Sequence, residues 1–266
     1  MSPHELDAAL ASAGGRLGPF ARLVQLHAEL PSTNDRAAAE AARGAPEGLV
    51  VVAEAQAAGR GRHGRTWSSP AGAGLYVSVL LRPDARVLPL VTIAAGVALA
   101  DGIRAATGLE TMLKWPNDVQ AGRAGGGGAG RKLAGILAES GASDRGTHVV
   151  LGFGINVVPA SHPPDVAARA TSLEAELGRP VDRARLLAEC LAALAARYDD
   201  LKEGRAAGVL AAWRAYARPL LGRAVEWNDG GRVRRGTAED VDARGALVVR
   251  TGEGAARVIS GDVRWT

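Results

Sequence analysis

The chain has 266 residues, 47% hydrophobic and 23% charged, with a formal net charge of +4. That length carries either one large core or a medium and a small domain, and no apolar run approaches the ~18 residues that span a bilayer. A single cysteine, Cys190, excludes an internal disulfide and a cysteine-rich zinc site, and the five scattered histidines form no H-x-x-x-H pair.

In chain order, "PHELDAALASAG" predicts a short helix, followed by a connecting strand or loop. "STNDRAAAEAARGAPEG" predicts a helix capped by Ser32 or Thr33 and stopped at Gly44. "GLVVVAEAQ" and "GLYVSVLLRP" read as strands, and "LVTIAAGVALADGIRAATG" as a helix with small and apolar residues on its packing side. "TMLKWPNDVQ", "RKLAGILAES" and "THVVLGFGINVV" each contain a short apolar strand broken by polar residues or glycines. A helical stretch then runs from about Leu173 to Tyr216, with breaks near Gly178–Pro180 and Gly204–Gly208, and Cys190 within it reads as a buried structural thiol. The tail holds four or five short strands between N-D-G-G, D-A-R-G and G-E-G turns, a separate small β-barrel. The expected domains are therefore residues 1–219 and 220–266. Residues 121–131, "AGRAGGGGAGR", read as a surface excursion between paired strands.

The N-terminus has no basic segment followed by an apolar core, so a cytoplasmic protein without a membrane partner is expected. Basic residues are interleaved with Asp and Glu along the chain, so specific DNA binding is not expected.

"AAGRGRHGRTW", residues 57–67, spaces Gly59, Gly61 and Gly64 as G-x-G-x-x-G. In a dinucleotide-binding unit these glycines open a helix whose N-terminus faces the pyrophosphate. Here "RTWSSPAGAGLYVSVLL" leads into another strand, so the helix is missing and the fingerprint fails. What remains is a glycine-rich loop carrying Arg60, Arg62 and Arg65. Its chemistry suits anionic oxygens, through backbone N–H groups and guanidinium forks. A solvated hairpin turn with incidental arginines is the other reading of this segment.

All but three of the 32 basic residues are arginine: lysine stands only at Lys114, Lys132 and Lys202, and asparagine only at Asn34, Asn117, Asn156 and Asn228. In so biased a chain, positions that keep Lys or Asn are candidates for a chemical requirement. Five of the seven fall in "STN", "KWPND", "RKLAG" and "GFGIN", polar interruptions of apolar segments that together read as the walls of one pocket.

The ordered set "STN", "EAQAAGRGRHGRTWSSPAGAGLYVSVLL", "LKWPNDV", "RKLAGILAE" and "GFGINV", from Ser32 to Val157, resembles biotin–protein ligases (biotin–[acetyl-CoA-carboxylase] ligases). The resemblance implies an α+β fold: a mixed, mostly antiparallel sheet with packed helices, like class II aminoacyl-tRNA synthetase catalytic domains. A small C-terminal SH3-like β-barrel follows it. Only about thirty residues precede "STN", too few for the DNA-binding winged helix that some members carry, so the monofunctional type is expected.

The resemblance implies that biotin and ATP form biotinyl-5′-AMP with Mg²⁺, and that biotin then passes to a lysine of a biotin carboxyl carrier protein. Lys132, Arg62 and Asp118 are the implied catalytic residues: Lys132 on the reacting oxygens, Arg62 at the carboxylate–phosphate junction, and Asp118 orienting the acceptor lysine. Asp118 has a second reading, as an Asx cap on a turn. Ser32, Thr33, Asn34, Gln56, Arg60, Gly61, Arg62 and Lys132 are the expected biotin contacts; Gly59, Arg62, Arg65, Trp67, Lys114, Asn117 and Asn156 are those expected for ATP and adenylate, with no protein metal ligand assigned. Trp67 also reads equally well as core. The loop is expected to close over the adenylate and exclude water. Two alternatives stand: a lipoate- or octanoate-transferring relative of the same fold, and an Arg-rich nucleic-acid-binding protein.

Overall fold

The computed structural model describes residues 1–122, 130–159, 166 and 168–266. Most of the glycine excursion at 121–131 lies outside the described residues.

Helix α1 (Pro3–Ala13) starts in a capping box in which Ser2 and Glu5 satisfy each other's backbone N–H groups. Its Leu6, with Leu17 and Phe20 of the following turns, is buried in the main core. β1 (Leu23–His27), α2 (Thr33–Ala42) and β2 (Leu49–Ala53) form a β-α-β unit whose strands pair in parallel. β2 does not lead into a helix. Residues 54–73 instead connect it to β3 (Gly74–Leu81), which pairs antiparallel with it, as the failed dinucleotide fingerprint requires. Helix α3 (Val91–Thr107) precedes the hairpin of β4 (Thr111–Lys114) and β5 (Asp118–Ala121). β6 (Lys132–Ser143) and β7 (Gly146–Asn156) are far longer than the short strands expected there. The seven strands lie in the order β1-β2-β3-β7-β6-β5-β4, antiparallel except for the first pair.

Alternation along the strands gives the sheet two different faces. Leu75, Val77, Val79 and Leu81 of β3 point into one core with Val149, Leu151, Phe153 and Ile155 of β7. Against that face packs α3, backed by α5 (Arg183–Lys202) and α6 (Ala206–Ala217). The breaks expected in this helical stretch are real: α4 (Leu173–Leu177) ends at Gly178 and α5 at Glu203. α3 and α5 approach so closely that a Cβ on Gly102 would lie 2.6 Å from Cys190 Cα, which explains why the thiol is buried and structural. The segment Leu88–Thr107 is long and apolar enough to cross a membrane, but two-thirds of its apolar window is buried here as the central core helix.

The opposite face is covered only in part. α2 packs Ala37 and Ala41 on Leu49, Val51, Leu80 and Val150. Beyond it the same face carries Ser78, Gly152, Gly154, Gly135 and Glu139 at paired positions. A bulge adds Lys132 to this face. Asp118 pairs with Gly135 while Gln120 pairs with Lys132, so three residues of β5 span four of β6. Without the extra residue, Lys132 would follow Ala134 toward the core.

The tail forms β8 (Ala224–Asp229), β9 (Arg232–Val241), β10 (Leu247–Thr251), β11 (Gly254–Val258) and β12 (Val263–Trp265), in the order β11-β10-β9-β8-β12. It is an SH3-like barrel whose Val225, Val249 and Val263 belong to the same buried cluster as the large sheet. Trp115 Nε1 donates to Gly245 O (2.9 Å) and Arg214 Nε to Asp240 Oδ1 (2.5 Å), joining the barrel to the body built on the large sheet.

Candidate active site

Above the open half of the sheet lies a cavity of about 940 Å³. That is near the top of the ~300–1,000 Å³ common for small-molecule clefts. Every candidate residue from the sequence lines it except Gly59, which shapes the loop wall instead.

One end is a closed hydrogen-bond system of neutral polar groups. Ser32 is the N-cap of α2, yet its side chain makes no capping bond, contrary to expectation; the buried hydroxyl lines the cavity instead. The Thr33 N–H and Oγ1 lie 2.8 and 3.1 Å from Gln56 Oε1, and Gln56 Nε2 donates to Ser69 Oγ at 2.9 Å. Ser78 Oγ sits 2.8 Å from Thr33 Oγ1 and 2.6 Å from Asn34 Oδ1. Asn34 Nδ2 donates to Glu139 Oε2 at 2.6 Å. Ser78, fully buried, was missed by sequence reasoning; its signal was a single hydroxyl inside "LYVSVLL".

The floor is glycine. A Cβ on Gly152 would lie 2.1 Å from Asn34 Oδ1, and one on Gly154 2.4 Å from Trp67 Nε1. Gly135, paired with Gly154, leaves room for Trp67 and Lys132 together. Trp67 therefore lies against bare backbone, with the Lys132 ammonium 5.2 Å from its ring centroid, so it is a wall of the cavity rather than core. Its Nε1 is buried without a hydrogen-bond partner among the described residues.

The other end is charged. Lys132 Nζ and Asp118 Oδ1 form a 2.6 Å ion pair. Lys114 faces Asp118 across the hairpin, and burial pushes its ammonium below the ordinary lysine value while Asp118 opposes that shift. Asn156 Nδ2 donates to Thr171 O at 3.0 Å. Gln120 was not expected here; its Oε1 is buried without a partner among the described residues.

The glycine-rich loop forms one wall of the cavity. Gly59 allows the chain to double back, because a Cβ there would lie 2.4 Å from Trp67 O. Arg60 and Thr66 bridge as a small hairpin, with His63 at a left-handed φ of 57° at its tip. The three arginines differ in partner. Arg60 donates to Asp35 Oδ1 (2.6 Å) and Glu139 Oε2 (3.0 Å), so its charge is already matched, and it lines the cavity. Arg65 pairs with Asp262 of the barrel. Arg62 is half-buried and hydrogen-bonds a neutral acceptor, Asn117 Oδ1 at 3.3 Å; burial lowers its pKa, while the charges of Asp262 and Asp118 oppose that shift. Asn117 is committed to the protein, since its Nδ2 donates to Ile136 O at 2.8 Å. Both ends of its amide thus meet protein atoms while the residue lines the cavity. Residues 262–266 of the barrel close the cavity on the remaining side, a contribution the motifs did not indicate.

Residues 28–156 match the model of the biotin/lipoate A/B protein ligase family, and residues 220–264 that of the biotin protein ligase C-terminal domain. The chain is 38% identical over 250 residues to the biotin–[acetyl-CoA-carboxylase] ligase of Mycobacterium tuberculosis, covering 91% of this chain and 88% of that protein. The chain belongs to the biotin/lipoate A/B protein ligase family. The ligase is also 37% identical over 246 residues to the bifunctional ligase/repressor BirA of Bacillus subtilis, covering 89% of this chain and 72% of that one. In three dimensions it is similar to the biotin protein ligase from Aquifex aeolicus in complex with biotin and ATP. The TM-score is 0.78 at 26% identity, over 92% of this chain and 99% of that one. Among the ligase's described residues, no three His, Cys, Asp or Glu side chains converge as a metal site.

Proposed function

We propose that the protein activates biotin with ATP to biotinyl-5′-AMP and transfers biotin to a lysine of a carrier protein. The observation that carries this reading is the polarity of this cavity. A neutral end rich in paired donors and acceptors, Thr33, Gln56 and Asn34, adjoins a cationic end, Arg62, Lys114 and Lys132. A ureido ring needs the first, and two anions brought into contact need the second.

In the first step the biotin carboxylate oxygen attacks the ATP α-phosphorus, the new O–P bond forms, and the bond to pyrophosphate breaks. Arg62 supplies charge at that junction. Lys132 brings an ammonium to the reacting oxygens by exchanging Asp118 for them. In the second step the acceptor amine attacks the acyl carbon, AMP leaves, and the proton lost by nitrogen goes to Asp118, freed from Lys132. Trp67 and the loop keep water from the mixed anhydride. With few acidic groups in the cavity, Mg²⁺ would be carried by the nucleotide's phosphates, and the neutral oxygens of Asn156 and Gln120 in the lining would be available to it. The acceptor is the biotin carboxyl carrier domain of acetyl-CoA carboxylase, and no DNA partner is needed for either step.

The test is biotin-dependent exchange of pyrophosphate into ATP, run beside lipoate and octanoate. Exchange with biotin alone is expected; exchange with lipoate or octanoate but not biotin overturns the reading.

A further inference from the structure

The polar groups lining the neutral end are not independent. From Trp67 O the chain of contacts runs through Ser69, Gln56, Thr33, Ser78, Asn34 and Glu139 to Arg60. It begins and ends on the lid loop and passes beneath the ligand space. Most members can turn round: a hydroxyl donates or accepts, and a carboxamide can flip. Glu139 cannot, because an ionised carboxylate only accepts. Asn34 must therefore present Nδ2 to Glu139 and Oδ1 to Ser78, which commits the Ser78 proton to Asn34. Arg60 holds the carboxylate in place with two contacts, 3.2 Å to Oε1 and 3.0 Å to Oε2.

We infer that Glu139, clasped by Arg60, is a positioning residue that sets the donor–acceptor direction of the ring-binding chain and ties that chain to the lid. The inference rests on the biotin reading above. Glu139 touches no reacting atom. It acts, through the buried Ser78, by fixing which of the Asn34 and Thr33 atoms that line the cavity offer a proton to the ligand and which accept one. The alternation of β6 puts it there, two residues beyond Leu137 on the same face as Gly135. Asp35, the other carboxylate on Arg60, makes no side-chain hydrogen bond to Asn34 among the described residues and serves only the clasp.

The experiment compares biotin with 2-iminobiotin, in which an imine replaces the ureido oxygen and so changes the ring's donor–acceptor pattern. Pyrophosphate exchange is measured for the full chain, its Glu139→Gln variant and its Asp35→Asn variant. Glutamine keeps the shape but can donate as well as accept, so Asn34 loses its fixed orientation. Glu139→Gln should raise the KM for biotin and narrow the iminobiotin-to-biotin KM ratio by about three- to tenfold, the scale of coupling between touching polar groups. Asp35→Asn should leave that ratio unchanged while weakening the biotin-induced hydrogen-exchange protection of residues 57–67. A Glu139→Gln enzyme with the parent ratio overturns the inference, as does a ratio that narrows equally in Asp35→Asn. If the parent enzyme shows no biotin-dependent exchange, it is the ligase reading that fails.

Discussion

Gly154→Ala isolates the role of the glycine floor. The added Cβ would lie 2.4 Å from Trp67 Nε1, 2.6 Å from Cε2 and 3.0 Å from Cζ2. Carbon contacts settle near 3.5–4.0 Å, so the indole must lift by about 1 Å. The lift cannot stay local, because the Lys132 ammonium rides over the same ring at 5.2 Å and reaches Asp118 at 2.6 Å. A displacement of about 1 Å at reacting groups lowers turnover roughly a hundredfold. The strain of overfilling costs about 1–3 kcal/mol. The assay is biotin-dependent pyrophosphate exchange, read beside thermal unfolding. Gly96→Ala is the matched control: it adds the same methyl to a buried glycine of α3, where the nearest atom is Leu113 Cδ2 at an ordinary 3.5 Å. That variant should keep parent turnover. Exchange by Gly154→Ala within about threefold of the parent would refute the reasoning, because Trp67 would then not be the platform that places Lys132.

Three further outcomes are expected. Lys132→Ala should lower exchange by at least about a hundredfold, as removal of one charge-stabilising donor does, while Cys190→Ala, on the far side of the sheet, should change only stability. Hydrogen exchange at residues 57–67 should slow when biotin and ATP are added; equal protection with and without them contradicts a closing lid. Burial and the nearby Arg82 lower the pKa of His148, whose Nδ1 is buried without a partner among the described residues. The unfolded chain therefore binds the proton first, and stability should fall as pH drops below the ordinary value of 6.5. His148→Gln should flatten that part of a Tm-against-pH curve, and an unchanged slope would assign the acid loss to other groups.

Much of the site was legible because its chemistry forced exceptions to local habit. Lysine and asparagine survive at Lys114, Lys132, Asn34, Asn117 and Asn156 in an arginine-rich chain, and all five line the cavity. What stayed hidden depends on long-range pairing. Nothing in "NDVQ" or "RKLAG" marks the bulge that turns Lys132 to the ligand face, since it exists only once β5 and β6 are in register. Ser78 and Glu139 look like an ordinary strand hydroxyl and an ordinary solvent-facing acid until the sheet places them beside Asn34. The barrel's part in the cavity was hidden for the same reason: Asp262 lies 197 residues from Arg65 in sequence.

The loop arginines show how one residue type takes three roles through its partners. Arg60 and Arg65 lie against carboxylates at sites open to solvent, where such pairs are worth only ~0–1 kcal/mol and exchange readily. They can hold the loop near its closed path without locking it. Arg62 is different, since its guanidinium is withdrawn from water and faces Asn117, a neutral acceptor. In the free protein that placement is unfavourable, because burial removes hydration that one neutral hydrogen bond does not replace. On the proposed mechanism, the arriving carboxylate and phosphate add to the counter-charge of Asp262 and Asp118 in a setting that screens it weakly. The hydration that Arg62 loses in the empty cavity would then be made up where the two substrate anions meet.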